Sequence, residues 1–309
     1  MLEDATPFGK WAFNQALKAG RKRIWALENN KATPISYQFW DFFLLRNLRR
    51  MLGMDRLRRG GSGAAPISPD LLQWFRAIGV PIYEGYGMSE TAGIMTVNLS
   101  EAEKLGSVGR VVPGAEVRIG DGGEIQYLGA NCFKGYWNNP DKTEETFTRD
   151  GWLRSGDIGQ IDDEGYVTIT GRMKDVIITQ GGKNITPAEI ENRLKFSPYI
   201  SDAVVIGDKR KFLSCLVMID QENVEKYAQD RRVPFSDFAS LCRTEAVVEL
   251  INGVIDNVNE DFARVEQIKS FRLIDTVLTA EDDELTATMK LKRSFVEQKY
   301  NSLIDEMYQ

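Results

Sequence analysis

Residues 150–184 read DGWLRSGDIGQIDDEGYVTITGRMKDVIITQGGKN, and this stretch decides how the chain is divided. A Gly156–Asp157 turn follows a Trp-Leu strand. The break Gly171-Arg172-Met173-Lys174-Asp175 sets two cations and a carboxylate where a domain boundary would sit, and a Gly181-Gly182 corner then opens onto a capped helix. Turn residues between β-type runs usually mark ordinary hairpins. Here the pattern also changes on either side, from short strands with tight turns to a smaller alternation of strand and helix. The stretch therefore reads as a pivot between two domains. A chain of 309 residues also exceeds what one core usually serves.

Composition narrows the chemistry. Hydrophobic residues make up 42% and charged residues 27%, which is ordinary for a globular protein. A net charge of −6 argues against nucleic acid as the main partner. Cys132, Cys215 and Cys242 are scattered without a CxxC pair, so neither a disulfide framework nor a thiolate zinc site is expected, and a reducing, cytoplasmic setting is. The chain has no histidine, which removes the commonest general base, the Ser/His/Asp triad and His-ligated metals together. Chemistry must run on Lys, Asp/Glu, Ser/Thr, backbone N–H groups or a hard cation. The amino terminus MLEDATPFGKW carries charge and no apolar core, so it is not read as a signal peptide.

Working outward, residues 8–59 read as helical, with the apolar run Phe39 to Leu45 followed by six arginines between Arg46 and Arg59. That pattern suits either a surface touching anionic lipid or a core helix with a solvated basic face, and the core helix is the expectation. Residues 55–59 then form a strand that ends in the glycine-rich turn 60–66. Ser68 caps a helix with Pro69 at its first position, and Gly79 stops it. Residues 80–84 form the next strand, ending in GYGMSET. A strand–helix–strand unit implies parallel strands, so both glycine-rich loops leave carboxyl ends on one sheet edge, where open α/β folds place ligands. Residues 105–170 suggest an antiparallel sheet beside the first, and Asn139-Pro140 opens a short helix. In the following α/β unit Thr186, Pro187 and Glu189 predict a capping box, and residues 245–262 an amphipathic helix with Val248, Ile251, Ile255 and Val258 on its apolar face. The fold class expected is α/β: a parallel α/β sheet plus an antiparallel β subdomain, then a small α+β domain.

Six segments, read together, resemble the adenylate-forming synthetases, in particular the long-chain fatty-acid–CoA ligases: SGAAPIS (62–68), YEGYGMSETAG (83–93), FKGYWNNPDKT (133–143), GWLRSGDIG (151–159), GRMKDVIITQGGKNITPAEIE (171–191) and LTATMKLKR (285–293). They occur in family order over nearly the whole chain. The resemblance implies that residues 1–171 are the later part of a large AMP-binding domain and residues 172–309 a small mobile domain. It implies ATP-dependent conversion of a long-chain fatty acid to acyl-AMP and transfer to CoA, with ATP/AMP, Mg²⁺ and coenzyme A as cofactors. The missing histidine suits this chemistry. A carboxylate substrate is already ionised at neutral pH, so the protein has only to position two anions and stabilise charge on phosphorus.

Residue roles follow from the same resemblance. Gly63, Ala64 and Ala65 would form a wall for adenine and Tyr86 would stack on its other face, with Glu84, Gly85 and Gly87 completing the nucleotide set. Ser89 would bond phosphate and Glu90 would hold Mg²⁺. Asp157 would accept the ribose hydroxyls and Arg172 would support the ribose or phosphate. Lys174 occupies the hinge position, Gly182 and Lys183 the CoA passage, and Lys290 would bridge the fatty-acid carboxylate and the α-phosphate. Taken alone, Gly63 to Ala65 is a plain βα turn, Ser89-Glu90 a helix cap, Asp157 a turn aspartate and Lys290 solvated charge.

Asn184 and the Thr-Met-Lys of the last motif resemble the long-chain branch. The family's hydroxyl-rich phosphate loop ending in Pro-Lys has no counterpart here, so the chain is expected to represent the later half of a synthetase with little activity by itself. A fatty-acyl-AMP ligase or carrier-protein-loading synthetase is the alternative within the class, and a non-catalytic AMP-, acyl- or partner-binding module is the alternative outside it. Long-chain fatty acid and CoA are the expected partners, with peripheral contact at the inner face of a membrane compatible with a cytoplasmic chain. Oligomeric state is not legible.

Overall fold

The computed structural model describes residues 6–65, 67–100, 102–278, 282–285 and 291–309. The chain is mixed α/β and divides into two compact units, Met1–Ile169 and Thr170–Gln309.

The first unit opens with helix α1 (Pro7–Glu28), whose Thr6 side chain accepts a hydrogen bond from the Gly9 amide at 3.1 Å. Its inner face is lined with Ala12, Ala16, Ala19 and Gly20, residues small enough for backbone-to-backbone packing. A Cβ at Gly20 would sit 2.1 Å from the Ala77 carbonyl oxygen, so α1 lies directly on a second helix end. Helix α2 (Ile35–Trp40), a π-helical turn (Asp41–Leu45) and α3 (Arg46–Met51) follow. Helicity stops at Met51, short of the expected residue 59. The core-helix expectation for the aromatic run also needs correcting. Leu45 is sealed, but Phe39, Phe42 and Phe43 are 53%, 65% and 60% exposed, and they continue through ring contacts to Trp40, Trp11 and Phe8. The run is thus only half core. Its other half is an exposed aromatic face.

Strand β1 (Gly60–Ser62) pairs in parallel with β2 (Ile82–Tyr86), bridged by α4 (Pro69–Ala77). The parallel pairing and the Ser68 cap agree with expectation, the Ser68 hydroxyl accepting from the Asp70 amide at 3.2 Å. The strand positions do not. Pairing begins at Gly60 opposite Ile82, so the strands lie later than residues 55–59 and 80–84. The reason is close approach: a Cβ at Gly63 would meet the Gly85 carbonyl oxygen at 2.9 Å, so the glycine-rich run lies along the strand and not wholly in the turn after it. Strands β3 (Thr96–Val97) and β4 (Arg110–Val111) complete this sheet in the order β1-β2-β3-β4. A second sheet runs β5 (Ala115–Ile119), β6 (Glu124–Gly129), β7 (Leu153–Ile161) and β8 (Val167–Arg172), with α5 (Pro140–Thr146) between β6 and β7. Met95, Ile125, Tyr127, Leu153 and Val167 form the core that joins the two sheets.

The second unit begins with a hairpin, β9 (Ile177–Ile178) and β10 (Asn184–Ile185), then α6 (Pro187–Leu194). The predicted capping box does not form: Thr186 makes no cap bond, and its methyl packs where a Cβ on Gly171 would otherwise lie, 2.0 Å away. Strands β11 (Ile200–Ile206), β12 (Leu213–Ile219) and β13 (Ile268–Leu273) form a sheet with β12 in the centre, antiparallel to β11 and parallel to β13. All seven residues of β12 are buried, so helices must cover both faces. Leu213, Cys215, Val217 and Ile219 face α6, α7 (Gln221–Asp230), α8 (Phe238–Cys242) and α9 (Glu245–Asn259). Leu216 and Met218 face α10 (Arg293–Lys299) and α11 (Asn301–Glu306). On α9 the buried positions are Val247, Ile251 and Ile255. Val248, expected inside, is 39% exposed.

Candidate functional site

In the first unit the parallel pair β1–β2 delivers two loops to one sheet edge. Ala64 adopts φ +67, a left-handed backbone that leaves the Gly63-Ala64-Ala65 segment as an exposed ledge. On the neighbouring strand, Tyr86 is followed by Gly87, where a Cβ would stand 1.7 Å from the Gly93 carbonyl oxygen. That contact folds Ser89, Glu90 and Thr91 into a tight 3₁₀ turn beneath β2. The Tyr86 hydroxyl donates to Asp157 Oδ2 at 2.5 Å across 71 residues of sequence. Asp157 itself sits on β7 just after Gly156 (φ +71), is 9% exposed, and donates its amide to Ser155 Oγ at 3.1 Å. The structure thus brings together the aromatic ring expected to cover adenine and the carboxylate expected to hold ribose.

Glu90 is gripped by a segment to which the sequence reading assigned no role. The Tyr136 hydroxyl donates to Glu90 Oε1 at 2.7 Å, and the Phe133 amide donates to the Glu90 carbonyl at 2.7 Å. Asn131 reaches the carbonyls of Thr91 and Ile94 at 2.7 and 3.2 Å. Tyr136 and Asn131 were missed, although Tyr136 lies inside the quoted FKGYWNNPDKT run. Among the described residues no group of three or more His, Cys, Asp or Glu could hold a metal ion alone. A hard cation here would take Glu90 and oxygens of nucleotide and water, a donor set that suits Mg²⁺.

Glu84 differs from its neighbours. Burial, then the adjacent Glu103 carboxylate, push its carboxyl up to about 7, opposed only by the Ile67 amide. Glu103 is held by Arg76 at 3.0 Å. The folded-state value lies above the ordinary 4.5, so the native state binds this proton more tightly than the unfolded chain does. Stability is then full at low pH and falls as pH rises through about 7. Glu84→Gln, which keeps the acceptor, should be more stable than the parent at pH 8 by about 3 kcal/mol. The gap should close towards pH 4.5. Urea midpoints at the two pH values test this, and an equal gap at both would refute it.

The second unit carries the remaining expected residues. Arg172 ends β8, and Lys174 lies exposed in the 3₁₀ turn Met173–Asp175. Gly182 (φ +75) and Lys183 form the tip of the β9–β10 hairpin, where the Gly182 amide donates to the Thr179 carbonyl at 2.8 Å. No atom lies within 4 Å of a Cβ built on Gly182, so the left-handed backbone is what calls for glycine there. Lys290 lies outside the described residues. Its flanks are placed: Leu285 bridges Leu291 in antiparallel fashion, and Glu284, 1% exposed, is paired with Lys299 of α10.

Residues 12–137 match the family described as AMP-binding enzyme, and residues 174–309 match the AMP-binding enzyme C-terminal domain. The chain belongs to the adenylate-forming, AMP-binding enzymes. This adenylate-forming chain is 37% identical, over 96% of its own length and 52% of the relative's, to the long-chain-fatty-acid–CoA ligase FadD15 of Mycobacterium bovis. It is 35% identical to the long-chain-fatty-acid–CoA ligase ACSBG2 of Xenopus laevis, over 97% of this chain and 43% of that one. It thus spans about half the length of the curated relatives it matches. Among solved structures it resembles the adenylation domain of a Mycobacterium chelonae carboxylate reductase, with TM-score 0.69, 20% identity, and 95% and 45% of the two chains covered. It also resembles the o-succinylbenzoate coenzyme A synthetase of Bacillus subtilis, solved with ATP and magnesium, with TM-score 0.59, 27% identity, and 77% and 46% covered.

Proposed function

We propose that this chain carries the nucleotide-binding and small-domain parts of a long-chain fatty-acid–CoA ligase. The reaction converts fatty acid and ATP to acyl-AMP and pyrophosphate, and then acyl-AMP and CoA to acyl-CoA and AMP. The observation that carries the reading is the meeting of Tyr86 with Asp157 beside the Gly63–Ala65 ledge. In this assignment residues 1–171 are the later part of the large domain, and residues 172–309 are the small domain that turns about Lys174. Adenine lies between the ledge and Tyr86, the ribose hydroxyls donate to Asp157, and Ser89 and Arg172 meet phosphate. Lys290 offers a compact positive charge to the two reacting anions, while Gly182 and Lys183 line the approach of the CoA thiol. Mg²⁺, when bound through Glu90, neutralises phosphate charge. The names of the relatives support the fatty acid and CoA as substrates. The exposed aromatic face of α1–α3 is where we place contact with lipid or with further parts of the large domain.

Calorimetry tests the nucleotide site directly. The chain should bind AMP, and Asp157→Asn should weaken binding about 10- to 100-fold, the worth of hydrogen bonds to a charged acceptor. AMP affinity that ignores the substitution would remove Asp157 from the site. Thioester formation with CoA separates the ligase from a carrier-loading synthetase. AMP binding without pyrophosphate release at high protein concentration would favour a non-catalytic binding module.

A further inference from the structure

The segment 131–136 grips the Ser89–Thr91 turn at several points, through side chain and main chain alike. Asn131 holds the Thr91 carbonyl, the Phe133 amide holds the Glu90 carbonyl, and the Tyr136 phenol takes Glu90 Oε1 at 2.7 Å. Tyr136 is itself fixed. Its amide donates to Thr143 Oγ1 at 2.9 Å, and its ring packs edge-on against Phe133 at 4.9 Å. Gly135 (φ +147) carries the chain past the Thr143 side chain, which a Cβ there would strike at 2.5 Å. The backbone of the turn is already held by the other two contacts, so the phenol adds one thing: it fixes the carboxylate. No other hydrogen bond reaches the Glu90 carboxylate among the described residues.

We propose that Tyr136 is a positioning residue that holds Glu90 by Oε1 and presents Oε2 to the divalent cation accompanying the nucleotide phosphates. The inference rests on the reading of Glu90 as the cation ligand under Proposed function. Its physical basis is the contrast between a floppy ligand and a demanding ion. A free glutamate loses about 1.5–2 kcal/mol of side-chain entropy on ordering. Mg²⁺ requires near-octahedral geometry and takes only one or two carboxylates in nucleotide sites, so the orientation of a single carboxylate matters. Groups that orient a ligand from behind typically contribute 10- to 100-fold to metal affinity.

The test uses the full chain, with Mn²⁺ and ATP as probes and AMP without metal as the control, read by calorimetry and Mn²⁺ relaxation. Tyr136→Phe keeps the ring packing. It should lower the Mn²⁺-dependent gain in ATP affinity about tenfold and leave metal-free AMP affinity within about twofold. In a Glu90→Ala background the same substitution should have no further effect on the metal dependence, because its target is gone. An equal fall in AMP and Mn²⁺–ATP affinity would overturn the proposal in favour of a merely structural role. So would an effect that persists in the Glu90→Ala background, or an unchanged Mn²⁺ gain in Tyr136→Phe. A parent chain that binds AMP but shows no Mn²⁺ gain would overturn Glu90 as ligand, and this inference with it. The AMP result would stand separately.

Discussion

Gly87→Ala should lower the stability of the first unit by about 3 kcal/mol or more and abolish AMP binding. The added Cβ would lie 1.7 Å from the Gly93 carbonyl oxygen, 2.6 Å from its carbon and 2.8 Å from the Ile94 Cα, all backbone atoms that no rotamer change can clear. Nor can the backbone yield cheaply. The Met95 amide donates to the Tyr86 carbonyl at 2.8 Å, and the Thr91 and Gly93 amides both donate to the Met88 carbonyl at 3.1 Å. Opening the contact breaks these bonds and pulls Tyr86 away from Asp157. Gly93→Ala is the control. Gly93 has φ +112 but no atom within 4 Å of a built Cβ, so only backbone strain of about 1–3 kcal/mol applies and the site geometry survives. All six tryptophans lie in the first unit, so the denaturant midpoint of tryptophan fluorescence reports it directly. Gly87→Ala unfolding within 1 kcal/mol of the parent and still binding AMP would defeat the argument.

The second large effect concerns the small unit. Glu191 of α6 accepts from the Val205 amide at 2.8 Å and pairs through the same oxygen with Arg293, which in turn donates to the Val205 carbonyl at 2.7 Å. The ring ties α6, β11 and the start of α10 together at the last residue of the motif that contains Lys290. The two side chains are 21% and 13% exposed, little enough for water to compensate poorly when one is removed. Arg293→Met should therefore cost about 3 kcal/mol, the low end for breaking a buried pair. Adding Glu191→Leu removes the stranded carboxylate but leaves Val205 N–H and C=O without partners, so the double variant should recover only part of the loss. Amide exchange along β11 and β12 should accelerate while the tryptophan transition stays in place. Unchanged exchange in Arg293→Met would show that the ring does not hold the unit.

Much of the candidate site is legible in the sequence because the motifs are local. The run YEGYGMSETAG points to Tyr86, Ser89 and Glu90, GWLRSGDIG points to Asp157, and strand–helix–strand logic puts two loops on one sheet edge. What escaped depends on pairs far apart in sequence. Tyr136 meets Glu90 across 46 residues, and Arg293 meets Glu191 across 102. No periodicity or cap chemistry marks either partner. The strand boundaries at Gly60 and Ile82 escaped for a related reason. A glycine run reads as a turn from its composition, and only a neighbouring strand close enough to touch reveals that it is extended.

By itself, then, the sequence determined the family, the order of its motifs, the parallel β1–β2 unit and a chemistry without histidine, because composition and short-range patterns carry those. Tertiary structure alone decided which carboxylates are held and which are pressed. Tyr136 fixes Glu90, Tyr86 bonds Asp157, and burial beside Glu103 pushes the Glu84 carboxyl up to about 7. It also decided that Phe39, Phe42 and Phe43 face outward, since whether an apolar residue is covered depends on what packs over it and not on its own side chain.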